Sequence, residues 1–298
     1  MAVGRFATAK TVRLDCDARS AACATRPRRP FVRIGSRGDA SMTVPDINNA
    51  SDIGNYHFQP GDMVEAYWNI QVDDDYISIN KYMIGIHNSD AGAQKRKAVQ
   101  QAAAKLNHRI DQKAFTRASM GKVTPGDCQH ILTMAVRSGL VRPGDLQAWA
   151  DQCLGVDCTG FVVAYYNEIG RINVDKYSGG ASCPFLVGRA VKNKAPGLES
   201  ALIWEQDQVR VGDMMVWMNS RMVETRAPGH IALISYVDVA PDTLFIAESS
   251  GASDGSGHYG PKHNRKSWEG VKSSGGAKYI QIDKTGKVLI VRPPAWFG

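Results

Sequence analysis

The sequence predicts an α+β fold. Two observations support this prediction: helical patterns occupy much of residues 94–169, and five short apolar or alternating runs separated by turns follow between residues 211 and 293. Helices first and strands afterwards is an order typical of α+β proteins, in which helices pack on an antiparallel sheet. A chain of 298 residues with 43% hydrophobic side chains is long enough to bury a substantial core.

Residues 1–55 are expected to form a basic, mostly disordered leader. Nine of the 36 Lys and Arg residues, but only three of the 29 Asp and Glu residues, fall in residues 1–40. The rest of the chain is nearly neutral, which argues against a nucleic-acid partner for the folded part. The leader lacks the apolar stretch of a secretory signal peptide; its composition superficially resembles an organellar transit peptide, and an over-extended start of translation explains it equally. No membrane span is predicted, because no run reaches about 18 consecutive apolar residues.

Residues 56–140 are predicted to contain a β-hairpin followed by helices, and the sequence does not define their role. Two apolar runs, at residues 60–72 and 76–86, flank an acidic turn and indicate the two strands of the hairpin. Residues 94–110 are rich in strong helix formers. Residues 127–139 place apolar side chains on one helical face before a glycine, which indicates a second helix.

Residues 141–298 hold the remaining helices and the predicted sheet. A short helix is predicted at residues 143–152, and another is predicted to begin at or just after Cys158, because the apolar side chains that follow recur at helical spacing. The predicted strands are residues 211–218, 230–239, 243–249, 278–282 and 287–293. The Gly- and Ser-rich residues 251–266, between the third and fourth strands, indicate a loop.

The cysteine content excludes two classes of protein. Six cysteines in 298 residues are too few for a disulfide scaffold. No CxxC pair is present, so no structural zinc site is predicted, and no cofactor is expected. Cys153 and Cys158 are close enough in sequence to pair under oxidising conditions, and such pairing would remove a free thiol.

Cys158 has the sequence context of a nucleophile. It lies at the predicted start of a helix, where partial positive charge and free N–H groups stabilise a thiolate and a developing oxyanion. A single cysteine is more often a buried structural thiol, so the chemistry requires a partner. Of the seven histidines, His230 follows a Pro-Gly turn and opens a predicted strand, whereas His258 and His263 lie in the predicted loop.

Four motifs in one order resemble the NlpC/P60 and CHAP superfamily of papain-like cysteine peptidases. They are DCTGFV at residues 157–162, VGDMMVW at 211–217, GHIALIS at 229–235 and FIAES at 245–249. Members of that superfamily typically show similar cysteine, Gly-Asp and Gly-His motifs. The resemblance covers residues 145–292 and implies a papain-like domain over residues 141–298, with the nucleophile helix packed on an antiparallel sheet.

The resemblance implies a catalytic triad. It makes Cys158 the nucleophile, His230 the base and later the acid, and Glu248 the residue that orients the histidine. Ser249 is the alternative orienting residue, since a displacement of the strand register by one residue turns a side chain to the other sheet face. Many members carry a tyrosine near the oxyanion site; the nearby aromatic residue here is Trp149, so only the Cys158 backbone N–H is assigned to the oxyanion hole.

The same resemblance implies a hydrolase of bacterial peptidoglycan. Most members cleave amide bonds of the stem peptide, either between D-Glu and a diamino acid or at the N-acetylmuramoyl-L-alanine bond, so the expected partner is peptidoglycan or a muropeptide. Contact with this substrate requires export to the periplasm or to a target cell, yet no classical signal peptide is visible. An antibacterial effector or a phage-type lysin would reconcile the need for export with the lack of a visible signal peptide. An effector would need a cognate immunity protein.

Two other functions stay open from the sequence. The same cysteine and histidine would serve a papain-like hydrolase or acyltransferase that acts on protein or lipid amides or thioesters inside a cell. The other alternative is a catalytically inert wall-binding module, suggested by a faint resemblance of residues 31–41 to the start of some peptidoglycan-binding repeats. The helical continuation of those repeats is absent, which disfavours this alternative.

Overall fold

The α+β prediction is confirmed by the structure, a computed structural model that describes residues 58–82, 90–177, 182–192, 201–219, 229–237, 242–252 and 259–294. All of these residues belong to one compact unit, Asn55–Gly298. The leader predicted over residues 1–55 lies outside the described residues.

The described residues form helices and strands in the following order. The helices are α1 (Pro60–Trp68), α2 (Asp90–Lys105), α3 (Gln112–Ser119), α4 (Pro125–Arg137), α5 (Leu146–Cys153), α6 (Cys158–Glu168), α7 (Val174–Tyr177) and α8 (Cys183–Lys192). The strands are β1 (Ile70–Val72), β2 (Asp75–Ile77), β3 (Leu202–Ile203), β4 (Met214–Trp217), β5 (Ile231–Val237), β6 (Thr243–Ser250), β7 (Gly260–Ser274), β8 (Ala277–Ile282) and β9 (Gly286–Val291). None of these helices combines the length and apolar character that crossing a membrane requires.

The larger sheet is antiparallel and closes on itself. Its seven strands have the order β3-β9-β4-β5-β6-β7-β8, and β8 also pairs with β9. Six strands therefore form a closed ring, and β3 pairs with β9 beside it. The strand patterns predict an antiparallel sheet but not its closure, because closure depends on which distant strands pair at the two edges.

The core has two parts, one on each face of the barrel strands. Alternate residues of β5 separate them: Ile231 and Leu233 pack with the helices, whereas Ala232 and Ile234 pack with side chains from the other barrel strands. The helical part of the core is continuous from α1 to β9. Helix α6 packs against β5 and β6, and α1 packs against the same sheet, so the regions before and after residue 140 share one core.

The predicted hairpin is present, but most of its first predicted strand is a helix. Strands β1 and β2 pair antiparallel across a two-residue turn. Residues 60–68, for which the sequence predicts a strand, form α1 instead: Pro60 occupies its first turn, and the Asp62 carboxylate accepts a hydrogen bond from the Gln59 N–H at 2.7 Å. The buried side chains of α1 recur at helical spacing, which a search for strand pattern overlooks. Residues 83–86 of the second predicted strand lie outside the described residues.

Two further elements differ from the sequence prediction. The loop predicted over residues 251–266 contains the first part of β7, which pairs with β6 over eight successive residue pairs. This part of β7 is mostly polar, so hydrophobic alternation does not reveal it. Helix α3 was absent from the prediction as well; Asp111 caps it by accepting hydrogen bonds from the N–H groups of Lys113 and Ala114.

Candidate active site

Cys158 is the first residue of α6, at the helix start that the sequence predicts. Asp157 caps this helix: its Oδ1 accepts a hydrogen bond from the Gly160 N–H at 2.6 Å and another from the Thr159 hydroxyl at 3.0 Å. The Cys158 N–H belongs to the first turn, whose amides have no partner within the helix. The thiol therefore lies at the positive end of the helix dipole, with 4% of the residue exposed.

The two residues before Cys158 are anchored by three separate parts of the chain. The Val156 N–H donates to the Lys81 carbonyl at 3.1 Å, and the Asp157 N–H donates to the Gly121 carbonyl at 2.8 Å. The fully buried Ser249 hydroxyl donates to the Val156 carbonyl at 2.5 Å. These bonds fix the start of α6, and they direct Ser249 towards the backbone of this segment.

A side chain at position 160 is expected to destabilise the protein, because Gly160 lies close to another segment of backbone. A Cβ atom on Gly160 would lie 2.4 Å from the Gly121 carbonyl oxygen and 3.0 Å from the Lys122 Cα, both of which are backbone atoms. Gly160→Ala is therefore expected to lower the free energy of unfolding by about 1–3 kcal/mol, although alanine is the better helix former. Gly126→Ala, in the first turn of α4, is the matched control, because the nearest atom to its Cβ would be 3.8 Å away. Denaturant unfolding compares the two variants, and equal stability would contradict the close approach at Gly160.

His230 and Glu248 lie together, and His230 also reaches Cys158. His230 Nε2 is 2.5 Å from Glu248 Oε2, and the Trp217 ring lies beside the imidazole with the ring centroids 4.6 Å apart. A hydrogen bond between the His230 and Cys158 side chains raises the pKa of His230 and lowers that of Cys158. The three residues of the predicted triad are thus brought into one hydrogen-bonded row.

Glu248 is supported by two residues of β7. Its Oε1 accepts a hydrogen bond from Asn264 Nδ2 at 3.0 Å, and Lys262, 1% exposed, lies directly opposite it in the strand register. Burial by itself raises the pKa of Glu248, but the hydrogen bond and charge of His230, the Asn264 amide and the Lys262 charge outweigh it and lower the pKa. Sequence reasoning missed both β7 residues because they lie in the segment predicted as a loop.

The electrostatics of the row favour a thiolate beside an imidazolium. The hydrogen bond from Cys183 has the largest effect on the pKa of Cys158; together with those of His230 and Tyr82 it outweighs burial and holds this pKa well below its usual value. Burial lowers the pKa of His230, but its hydrogen bonds to Cys158 and Glu248 outweigh burial and raise the pKa to about 9. The ion pair is therefore populated between the lowered pKa of Cys158 and about pH 9.

Tyr82 supplies a hydroxyl beside Cys158, where the sequence offers only Trp149 as a nearby aromatic residue and assigns the oxyanion hole to the Cys158 N–H alone. Tyr82 Oη donates to Cys158 Sγ at 3.7 Å and also adjoins the Cys158 backbone N–H. Burial and the neighbouring Cys158 charge raise the pKa of Tyr82, so its hydroxyl stays protonated and able to donate. Trp149 instead lines a separate cavity with Lys95 and Gln152. Two donors at one point, the phenol and the Cys158 N–H, suit a developing oxyanion.

Two glycines allow the segment around Tyr82 to approach the sheet. Gly260 has a φ of 84°, and a Cβ atom there would lie 2.7 Å from the Lys81 carbonyl. A Cβ atom on Gly251 would lie 3.3 Å from the Tyr82 ring. Residues from the N-terminal region, whose role the sequence left undefined, thus contribute directly to the surroundings of Cys158.

A second cysteine, Cys183 at the start of α8, lowers the pKa of Cys158 through side-chain hydrogen bonding, and its own pKa is raised by the same interaction and by burial. The sequence drew attention to Cys153 instead. Burial raises the pKa of Cys153 to about 11, although the nearby charges of Lys95 and Arg96 act to lower it. The free cysteines among the described residues are Cys128, Cys153, Cys158 and Cys183.

His263, which lies in the predicted loop, contacts residues outside the row of Cys158, His230 and Glu248. The His263 ring lies edge-on to Trp68, with centroids 5.6 Å apart, and its Nε2 is 3.4 Å from Glu65 Oε1. His258 lies outside the described residues. Within the described part of the chain, no group of three or more His, Cys, Asp or Glu side chains is arranged to hold a metal ion.

The arrangement around Cys158 is chemically suited to acyl transfer. Such a reaction needs a nucleophile, a histidine that moves protons, a group that orients the histidine, and donors for the oxyanion. Each of these has a counterpart among the residues around Cys158. Comparisons of this chain with models of known protein families, with curated proteins and with solved structures give no match.

Proposed function

We propose that the chain is a papain-like cysteine hydrolase of the NlpC/P60 or CHAP type. The observation that carries this proposal is the hydrogen-bonded row of Cys158, His230 and Glu248 at the start of α6. The same residues stand in the motifs that resemble the superfamily. The antiparallel strands β4, β5 and β6 hold the other three motifs, and α6 packs against β5 and β6, as expected of a nucleophile helix on a papain-like sheet.

Hydrolysis proceeds in two steps. The Cys158 thiolate attacks the amide carbonyl carbon, and the Tyr82 hydroxyl and the Cys158 N–H stabilise the oxyanion. The His230 imidazolium gives its proton to the leaving amine, the C–N bond breaks, and a thioester remains. Neutral His230 then takes a proton from water, the resulting hydroxide attacks the thioester, and the thiolate leaves beside a protonated His230.

The proposed substrate is the stem peptide of bacterial peptidoglycan. This part of the proposal is supported by the four motifs, since most proteins that carry them cleave either the bond between D-Glu and a diamino acid or the N-acetylmuramoyl-L-alanine amide. Such an enzyme meets its substrate after export to the periplasm or a target cell. An effector of this kind would be held in check in its producer by an immunity protein.

Digestion of purified peptidoglycan sacculi tests both the nucleophile and the substrate. The full chain is expected to release soluble muropeptides, whose masses by liquid chromatography and mass spectrometry identify the cleaved bond. Cys158→Ala is expected to lower the rate of release by about 10⁴-fold or more, because the thioester cannot form. Cys153→Ala is the matched control and is expected to keep its activity, since this buried thiol lies outside the row. Fragments that persist with Cys158→Ala would exclude Cys158 as the nucleophile.

The same proteins distinguish the alternative function. If no fragments appear while Cys158 still reacts with iodoacetamide at about pH 6, the nucleophile stands and the substrate is wrong. A hydrolase or acyltransferase of protein or lipid amides or thioesters then becomes the better assignment, and N-acyl peptides and thioesters are the substrates to assay. If Cys158 of the folded chain reacts no faster than an ordinary thiol, the enzyme proposal fails altogether.

A further inference from the structure

A largely buried ion pair lies directly beside the start of α6. Lys122 Nζ donates hydrogen bonds to both carboxylate oxygens of Asp157, 2.7 Å from Oδ1 and 2.5 Å from Oδ2, and it also donates to the Thr159 hydroxyl. The exposed fraction is 13% for the Lys122 side chain and 11% for that of Asp157. The hydrolysis steps above use neither residue.

The backbone also holds Lys122 against the start of this helix. Lys122 forms a β-bridge with Val156, and the Gly121 carbonyl accepts a hydrogen bond from the Asp157 N–H at 2.8 Å. A Cβ atom on Gly160 would lie 3.0 Å from the Lys122 Cα. The ammonium group is therefore placed beside Asp157 by the backbone as well as by the ion pair itself.

This place suits a cation only because the Asp157 carboxylate is present. The N-terminus of a helix carries a partial positive charge, which attracts an anion and repels a lysine. A buried ion pair also adds little net stability, since the desolvation of both charges opposes their attraction. Stability of the fold is therefore a poor explanation for a lysine at this position.

We propose that Lys122 is a positioning residue for Cys158: it balances the charge of Asp157, so that this carboxylate caps α6 without opposing the thiolate one residue later. Asp157 and the Cys158 thiolate are adjacent negative charges, and each disfavours the formation of the other. With Lys122 in place, Asp157 keeps its hydrogen bonds to Gly160 and Thr159 while its charge is balanced. The effect on hydrolysis rests on the proposed function, whereas the effect on the thiol does not.

The other groups around Asp157 do not supply this positive charge. Burial raises the pKa of Asp157, the charge and hydrogen bond of Lys122 lower it, and the charge of Cys158 raises it again. The other titratable groups whose charges interact with Asp157 are neutral or, when ionised, negative: Tyr67, Tyr82 and Cys183. Within this group of residues, Lys122 is therefore the cation that balances Asp157.

The pH profile of iodoacetamide labelling at Cys158 tests the proposal in the full chain without any substrate. Lys122→Met keeps a side chain of similar length without its charge, and the midpoint of the profile is expected to rise by about one pH unit. Below both midpoints, labelling is then about tenfold slower than in the wild type. Lys266→Met is the matched control, because this similarly buried lysine of β7 forms an ion pair with Asp283. Its labelling profile is expected to match that of the wild type.

A substitution of Asp157 separates the charge of Lys122 from its packing. Asparagine caps helices as well as aspartate does, but it carries no charge. In Lys122→Met/Asp157→Asn, the midpoint is therefore expected to return close to that of the wild type. In Asp157→Asn alone, the charge of Lys122 has no carboxylate to balance, so the midpoint is expected to fall below that of the wild type.

Digestion of sacculi is expected to follow the same order. Lys122→Met is expected to lower the rate of fragment release by about 10–100-fold, and the double variant is expected to restore most of the loss. Circular dichroism checks that each variant is folded. If Lys122→Met does not fold, the difference between Asp157→Asn and the double variant measures the effect of the Lys122 charge instead.

Three results would overturn the proposal. The first is an unchanged labelling profile in folded Lys122→Met, and the second is a double variant whose midpoint is as high as that of Lys122→Met. The third is an equal midpoint in Asp157→Asn and the double variant. Conversely, labelling profiles in the expected order with sacculi left intact would keep this role for Lys122 and exclude the proposed substrate, so the two proposals can fail separately.

Discussion

His230→Ala is expected to lower the rate of amide hydrolysis by about 10⁴-fold or more, close to the effect of losing the nucleophile. The variant removes the group that protonates the leaving amine and later activates water. It also removes a hydrogen bond and a charge that lower the pKa of Cys158, so this pKa is expected to rise. Iodoacetamide labelling of Cys158 as a function of pH measures that rise independently of any substrate.

The shift of the labelling profile is expected to be partial, because the hydrogen bonds from Cys183 and Tyr82 to Cys158 remain. The double variant His230→Ala/Cys183→Ser is expected to move the profile further towards that of an ordinary thiol. His263→Ala is the matched control, since this partly exposed histidine contacts Trp68 and Glu65. An unchanged labelling profile in His230→Ala would show that His230 does not act on Cys158.

The parts of the site that the sequence predicts are those with local signals. The apolar side chains after Cys158 recur at helical spacing, so Cys158 is predicted at the start of α6, and in the structure Asp157 caps that helix. His230 directly precedes β5, and Glu248 lies near the end of β6. These two strands show apolar alternation, are neighbours in the sequence and pair antiparallel, so the start of β5 lies beside the end of β6. Neighbouring antiparallel strands bring such positions together, so short-range pattern is enough.

The parts that the sequence does not predict depend on contacts between distant segments. Tyr82 lies 76 residues before Cys158, and its place beside the thiol follows from how Lys81 bonds to Val156 and approaches Gly260. No periodicity in the sequence encodes that approach. Cys183 likewise reaches Cys158 only through the position of its helix. Strand β7 was missed for a different reason, since its polar side chains serve the buried carboxylate of the neighbouring strand instead of an apolar core.

Glu248→Ala is expected to lower kcat by about 10²–10³-fold while Cys158 stays in place. The variant removes the acceptor at His230 Nε2, so the ring loses its orientation towards the thiol. It also removes a hydrogen bond and a charge that raise the pKa of His230. The pH above which activity falls is therefore expected to move down from about 9, and a pH profile of kcat measures this shift.

Glu248→Gln separates the two contributions of the carboxylate. Glutamine keeps a carbonyl oxygen that accepts from Nε2, so part of the lost kcat is expected to return. Glutamine carries no charge, so the pH above which activity falls is expected to stay lower than in the wild type. If glutamine restores none of the lost kcat, and the variant is folded, a hydrogen-bond acceptor at Nε2 is not enough and the carboxylate itself is required.

Ser249→Ala decides between Glu248 and the neighbouring residue as the group that orients His230. The Ser249 hydroxyl donates to the Val156 carbonyl, so its loss leaves a buried acceptor without this donor and is expected to lower the free energy of unfolding by about 1–2 kcal/mol. Cys158 and Glu248 raise the pKa of His230 and both remain in Ser249→Ala, so the alkaline limit of activity is expected to stay at about 9. A downward shift of that limit in Ser249→Ala, with the limit of Glu248→Ala unchanged, would transfer the orienting role to Ser249.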